Sequence, residues 1–61
     1  MKTKLLATSS TLNGITALIN KFFYSTTKTV KDDKVLNGDG QPLTNYRVTE
    51  KKGKYRFEEI I

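Results

Sequence analysis

The residues of this chain whose types and spacing could do chemistry are the basic ones between positions 46 and 57. They are Arg47, Lys51, Lys52, Lys54 and Arg56, five of the eleven lysines and arginines in the sequence. The segment holds one acid, Glu50, so its local net charge is +4, five positive charges minus one. Lysine and arginine bind phosphate oxygens, and such contacts position proteins on nucleic acids. The segment is therefore a candidate phosphate-binding surface, and the alternative is a solvated outer face that keeps a small protein soluble.

Three more lysines precede this segment at every third position, namely Lys28, Lys31 and Lys34. If the strands that carry them adjoin the basic segment, the candidate surface becomes larger. The chain as a whole has a net charge of +5, which favours acidic partners such as nucleic acid. We therefore include the three lysines among the candidate nucleic-acid-binding residues.

Catalysis is poorly supported by the composition. The sequence has no histidine and no cysteine, the usual general bases and nucleophiles near neutral pH. The same absence excludes disulfides and the common zinc ligand sets. Asp32, Asp33 and Asp39 fall in predicted turns, where carboxylates are solvated. We expect a binding protein and not an enzyme.

The segment NGDG at 37–40 matches the middle of a calcium-binding EF-hand loop. In that alignment the first loop position is Val35 and the twelfth is Tyr46, where an acid and a glutamate are required. Both ends fail, and the two glycines precede no strand-to-helix junction that could hold a phosphate. We interpret NGDG as a turn and expect neither a metal nor a cofactor.

One amphipathic helix is predicted from SSTLNGITALINKFFY. Its apolar residues recur at steps of three and four and include Leu12, Ile15, Leu18, Ile19, Phe22 and Phe23. A hydroxyl side chain among residues 9–11 is suited to cap the first turn, and the helix should end near Tyr24. Residues 2–8 are predicted to form a strand before it.

The basic segment is predicted to be a β-hairpin with a two-residue loop at Lys52-Gly53. In this register Val48 faces Phe57 and Glu50 faces Tyr55, which collects the apolar side chains on one face. Arg47 then lies opposite Glu58 on the other face. Asp32-Asp33 is suited to a turn between two short strands. The predicted fold is α+β, and residues 1–61 form a single domain. It has one helix packed on a small antiparallel sheet in the order β-α-β-β-β.

The C-terminal residues Ile60 and Ile61 support a second hypothesis. Two adjacent residues of a strand point to opposite faces, so one isoleucine can protrude from a predicted edge strand and attract another chain. The alternative function is thus a protein-interaction module, such as an accessory subunit or a small inhibitor. Such a protein would be bacterial or from a phage, encoded on a mobile element, and it could form a homodimer through this edge. A frayed terminus would explain the same residues.

The N-terminus imitates a signal peptide only briefly. Its apolar run is Leu5, Leu6 and Ala7, far short of the roughly 7 to 15 residues of a signal sequence. No apolar stretch approaches the roughly 20 residues of a membrane span. We expect a cytoplasmic protein with no membrane partner.

Overall fold

The computed structural model describes residues 2–61 and confirms the α+β class. Its elements are β1 (Thr3–Ser9), α1 (Leu12–Phe22), β2 (Thr29–Lys31), β3 (Lys34–Leu36), β4 (Tyr46–Lys51) and β5 (Lys54–Ile60). The strands form an antiparallel sheet in the order β1-β5-β4 and a separate hairpin of β2 with β3. Within the described residues, no helix is long and apolar enough to cross a membrane.

The predicted order is one strand short, because four strands and not three follow the helix. The segment around Asp32-Asp33 folds on itself as two three-residue strands, with Asp32 at a positive φ of 57° in the turn. This hairpin stays outside the larger sheet but abuts its β4 edge, where the Val48 amide donates to the Asp33 carbonyl at 3.0 Å. Pairing across a two-residue turn is local in the sequence, so these two strands bond to each other without joining the ladder of the larger sheet.

Thr11 begins the helix by accepting a hydrogen bond from the Gly14 amide through its hydroxyl at 3.0 Å. The helix packs its apolar face on the sheet, and the core comprises Ile15, Ile19, Val35, Val48 and Phe57. Of the six apolar residues in the predicted face, only Ile15 and Ile19 are fully buried. A domain of this size has too little interior to bury the whole stripe.

Aromatic rings close the core at the C-terminal end of the helix. The ring of Phe57 lies 5.4 Å from that of Phe22, 6.0 Å from Phe23 and 5.6 Å from Tyr46, measured between centroids. Edge-to-face and offset contacts of this kind add to the stabilisation from burial alone. These aromatic side chains are therefore committed to packing against the helix.

The prediction that Ile60 and Ile61 lie on an edge strand is wrong. β5 is the central strand of its sheet, and Ile60 pairs with Thr3 of β1, while the Ile61 amide donates to the Lys2 carbonyl. The N-terminal strand covers the edge that the hairpin alone would have left open. Ile61 is nevertheless 73% exposed at the end of the chain.

Candidate nucleic-acid interface

The β4–β5 hairpin has the predicted register, which determines where its basic residues lie. Lys51 pairs with Lys54, Thr49 with Arg56, Val48 with Phe57 and Arg47 with Glu58. Because neighbouring side chains along a strand point to opposite faces, the Phe57 row packs against the helix. The Arg56 and Glu58 rows therefore lie on the opposite face, which we call the open face.

The loop of this hairpin holds two successive residues at positive φ, Lys52 at 54° and Gly53 at 77°. This backbone is that of a type I′ turn, whose twist matches that of the flanking strands. Glycine adopts it freely, whereas lysine does so at a conformational cost. The turn places a third lysine at the hairpin tip beside Lys51 and Lys54.

A basic cleft of about 360 Å³ lies at this end of the open face. It is lined by Thr8, Lys51, Lys52, Lys54 and Arg56. Thr8 comes from β1, opposite Arg56 in the strand register. No acidic side chain belongs to this lining, so the cleft presents four positive charges and a hydroxyl group. Such a set of donors suits the oxygens of a phosphate group.

Two arginines on the open face share one buried carboxylate. Arg47 donates from Nε to Glu58 Oε1 at 2.9 Å, and Arg56 donates from Nε to Glu58 Oε2 at 3.1 Å. The Glu58 side chain is only 6% exposed, whereas those of Arg47 and Arg56 are 34% and 36% exposed. The carboxylate is thus covered, whereas both arginine side chains are partly exposed.

Burial by itself would raise the pKa of Glu58, because it disfavours the charged form. The hydrogen bonds from Arg47 and Arg56, together with their positive charges, outweigh burial and hold that pKa below its ordinary value. Glu58 is therefore ionised at neutral pH, and the three side chains together carry a net charge of +1.

A second cleft, of about 350 Å³, connects the hairpin to β3. Its lining includes Lys34 of β3 and Arg47 of β4, along with Asp33, Pro42, Leu43, Thr44, Tyr46 and Ile60. The two clefts and the Glu58 carboxylate thus link six basic residues, which we call the basic band: Lys34, Arg47, Arg56 and the three hairpin lysines. Asp33 and Glu58 are the acids that lie among them. Lys31 adjoins its end, since it pairs with Lys34 across the β2–β3 hairpin.

Lys28 lies apart from the basic band. Its ammonium group sits 5.5 Å from the ring centroid of Phe23, at the end of the helix. Its backbone amide and carbonyl are both bonded to the Asn20 side chain, at 2.8 and 3.0 Å. The regular spacing of Lys28, Lys31 and Lys34 thus spans two sides of the molecule.

Sequence reasoning placed Glu58 opposite Arg47 but missed its bond to Arg56, and it missed Thr8 altogether. The bond to Arg56 could have been predicted from the alternation of side chains along a strand. Glu58 lies two positions after Arg56 and opposite Arg47, so all three side chains point to the same face. Thr8 carried no signal, since it reaches the cleft only through the pairing of β1 with β5. Among residues 2–61, no group of three or more acids comes together in a way that could hold a metal ion.

No protein-family model matches the chain, and no curated protein or solved structure is significantly similar to it.

Proposed function

We propose that this protein is a non-enzymatic binding module of the cytoplasm that contacts the phosphates of nucleic acid through the basic band. The observation that carries the proposal is the basic cleft at the hairpin tip. Three lysines and Arg56 line it without an acid among them, although like charges held together cost stability. Lys51 and Lys54 are directly paired across the strands, an arrangement that solubility does not require.

The distribution of aromatic residues favours backbone contact over recognition of unpaired bases. Proteins that bind single strands stack bases on exposed aromatic side chains. Here Tyr46, Tyr55 and Phe57 all belong to or pack against the core on the helix side, although Tyr46 also lines the cleft between β3 and β4. The largely exposed Tyr24 lines neither of the two clefts. We therefore expect duplex nucleic acid to bind at least as tightly as a single strand.

The dimensions of the basic band also suit a duplex. Arg47 and Lys51 are four residues apart on β4, which separates them by about 13 Å at the usual rise of an extended strand. The major groove of B-DNA is about 12 Å wide. Arg47 and Lys51 can therefore contact phosphates on the two sides of one groove.

Fluorescence anisotropy with labelled duplex DNA, single-stranded DNA and RNA tests the proposal. The basic band holds six positive side chains, and six phosphate contacts lower affinity by about a thousandfold between about 50 and about 200 mM salt. Micromolar or tighter binding with a steep salt dependence supports the proposal. Absence of binding at the lower salt concentration contradicts it.

Neutralising the hairpin tip locates the site. Replacing Lys51, Lys52 and Lys54 together with glutamine should abolish most of the binding, because it removes three of the four charges of the basic cleft. The matched control replaces Lys4, Lys21 and Lys28 with glutamine, which makes the same change in net charge outside the basic band. Equal losses in the two variants would show that net charge alone drives binding, and the hairpin-tip site would be wrong.

A second candidate function is a protein-interaction module, favoured by the cleft between β3 and β4. Ile60 lines this cleft together with Pro42 and Leu43, and Ile61 next to it is largely exposed. A partner protein or a second copy of this chain that buried these residues would bind with little dependence on salt. Sedimentation velocity over a range of concentrations tests self-association, and Ile60→Ser should abolish it.

A further inference from the structure

Glu58 is the one buried charged residue that the structure describes, with 5% of its surface exposed. It lies in the central strand on the open face, and each of its carboxylate oxygens accepts a bond from a different arginine. No buried side-chain oxygen or nitrogen atom among residues 2–61 lacks a hydrogen-bond partner. Each carboxylate oxygen of Glu58 therefore has an arginine as its hydrogen-bond partner.

Stability alone does not explain why an acid occupies this position. A buried ion pair is often no more stabilising than apolar residues of similar size, because removing the charges from water costs as much as their attraction returns. The same strand row places Leu5 beside Glu58, so an apolar side chain would suit its neighbours. What the carboxylate does achieve is to restrict two long side chains that are otherwise free to adopt many rotamers.

The bonds leave most of each guanidinium group available to a ligand. A guanidinium has five N–H donors, and the bond to Glu58 uses only the Nε donor in each arginine. Both side chains remain about one-third exposed. Both guanidinium groups are bonded to the same carboxylate and therefore lie close together. A nucleic-acid backbone that crossed the open face would meet both of them within one short stretch.

We propose that Glu58 is a positioning residue that holds Arg47 and Arg56 ready to donate to neighbouring phosphates of a nucleic-acid backbone. This inference rests on the proposed function. Arginines ordered before binding lose less conformational entropy when the phosphates arrive, which raises affinity. Glu58 thus strengthens the binding of a polyanion although it carries a negative charge itself.

The sign of one substitution separates this role from simple electrostatics. Glu58→Gln raises the net charge from +5 to +6, so charge alone predicts equal or tighter binding to DNA. Loss of positioning predicts the opposite, about tenfold weaker binding, which corresponds to the cost of immobilising about one to two arginine side chains on binding. The matched control is Glu50→Gln, which makes the same charge change in the same hairpin at an exposed residue opposite Tyr55.

The experiment measures the affinity of wild type, Glu58→Gln and Glu50→Gln for one labelled duplex at several salt concentrations. We expect Glu58→Gln to bind more weakly, with a slope of log K against log salt that is shallower by about 0.9 for each phosphate that the variant no longer binds. Glu50→Gln should bind at least as tightly as wild type. A merely structural role for Glu58 would leave the slope of the folded protein unchanged.

Glu58→Met provides a variant that keeps the fold if glutamine does not, because methionine needs no hydrogen-bond partners in a buried site. Weaker binding by a folded Glu58 variant, with a lower slope, supports the positioning role. Binding as tight as that of Glu50→Gln would overturn it while leaving the proposed function intact. Failure of the wild-type protein to bind would overturn both.

Discussion

Lys52 occupies a backbone conformation that lysine disfavours, and we predict that Lys52→Asn will stabilise the protein while weakening its binding to DNA. With φ of 54° at Lys52 and 77° at Gly53, the loop is a type I′ turn, for which Asn-Gly is the preferred sequence. Asparagine tolerates the left-handed conformation because its short polar side chain can bond locally. The substitution also removes one of the positive charges crowded at the hairpin tip.

The magnitude follows from the conformation of this one residue. A left-handed conformation costs an ordinary residue about 1 to 2 kcal/mol, and we expect asparagine to recover about 1 kcal/mol of it. In a domain of this length that gain raises Tm by about 4 to 8 °C. Lys52 also lines the basic cleft, so the same change should lower the salt slope of DNA binding by about 0.9, the value for one phosphate contact.

Thermal melting by circular dichroism and fluorescence anisotropy measure the two effects on the same samples. The control is Lys52→Arg, which keeps both the charge and the strained backbone and should change neither quantity by much. A lower Tm for Lys52→Asn would refute the turn geometry. Unchanged affinity with a raised Tm would show that Lys52 lies outside the interface.

Three further predictions concern stability. Phe57→Ala should lower the free energy of unfolding by about 3 to 5 kcal/mol, a third or more of a total stability of about 3 to 9 kcal/mol, as measured by urea unfolding followed by circular dichroism; an unchanged urea midpoint would contradict the described core. Thr11→Ala should lower the urea midpoint by the equivalent of about 1 kcal/mol with the slope m unchanged, because it removes the helix cap. The lowered pKa of Glu58 contributes stability that is fully present above the ordinary carboxyl range and is lost as the pH falls through its folded-state pKa. Melting curves between about pH 6 and about pH 2 should therefore show a smaller acid-induced fall in Tm for Glu58→Gln than for wild type, and equal falls would show that the two arginines do not stabilise the carboxylate.

Local patterns in the sequence determined the helix and the C-terminal hairpin. The apolar steps of three and four predict a helix that buries Ile15 and Ile19, and a hydroxyl cap before Leu12 is confirmed at Thr11. The hairpin register is confirmed because side chains alternate along a strand, so an even loop keeps Val48 and Phe57 on one face. Both patterns involve residues close together in the chain, where geometry leaves few alternatives.

Only the tertiary structure decided which distant residues meet on the open face. The pairing of β1 with β5 makes the C-terminal strand central, brings Thr8 to the basic cleft and removes Ile60 from an edge. The position of the β2–β3 hairpin then brings Lys34 beside Arg47, while Lys28 packs on Phe23 at the helix. Strand order depends on contacts between segments about 50 residues apart in the chain. The packing of the whole core selects those contacts, and the spacing of apolar residues within one segment does not predict them.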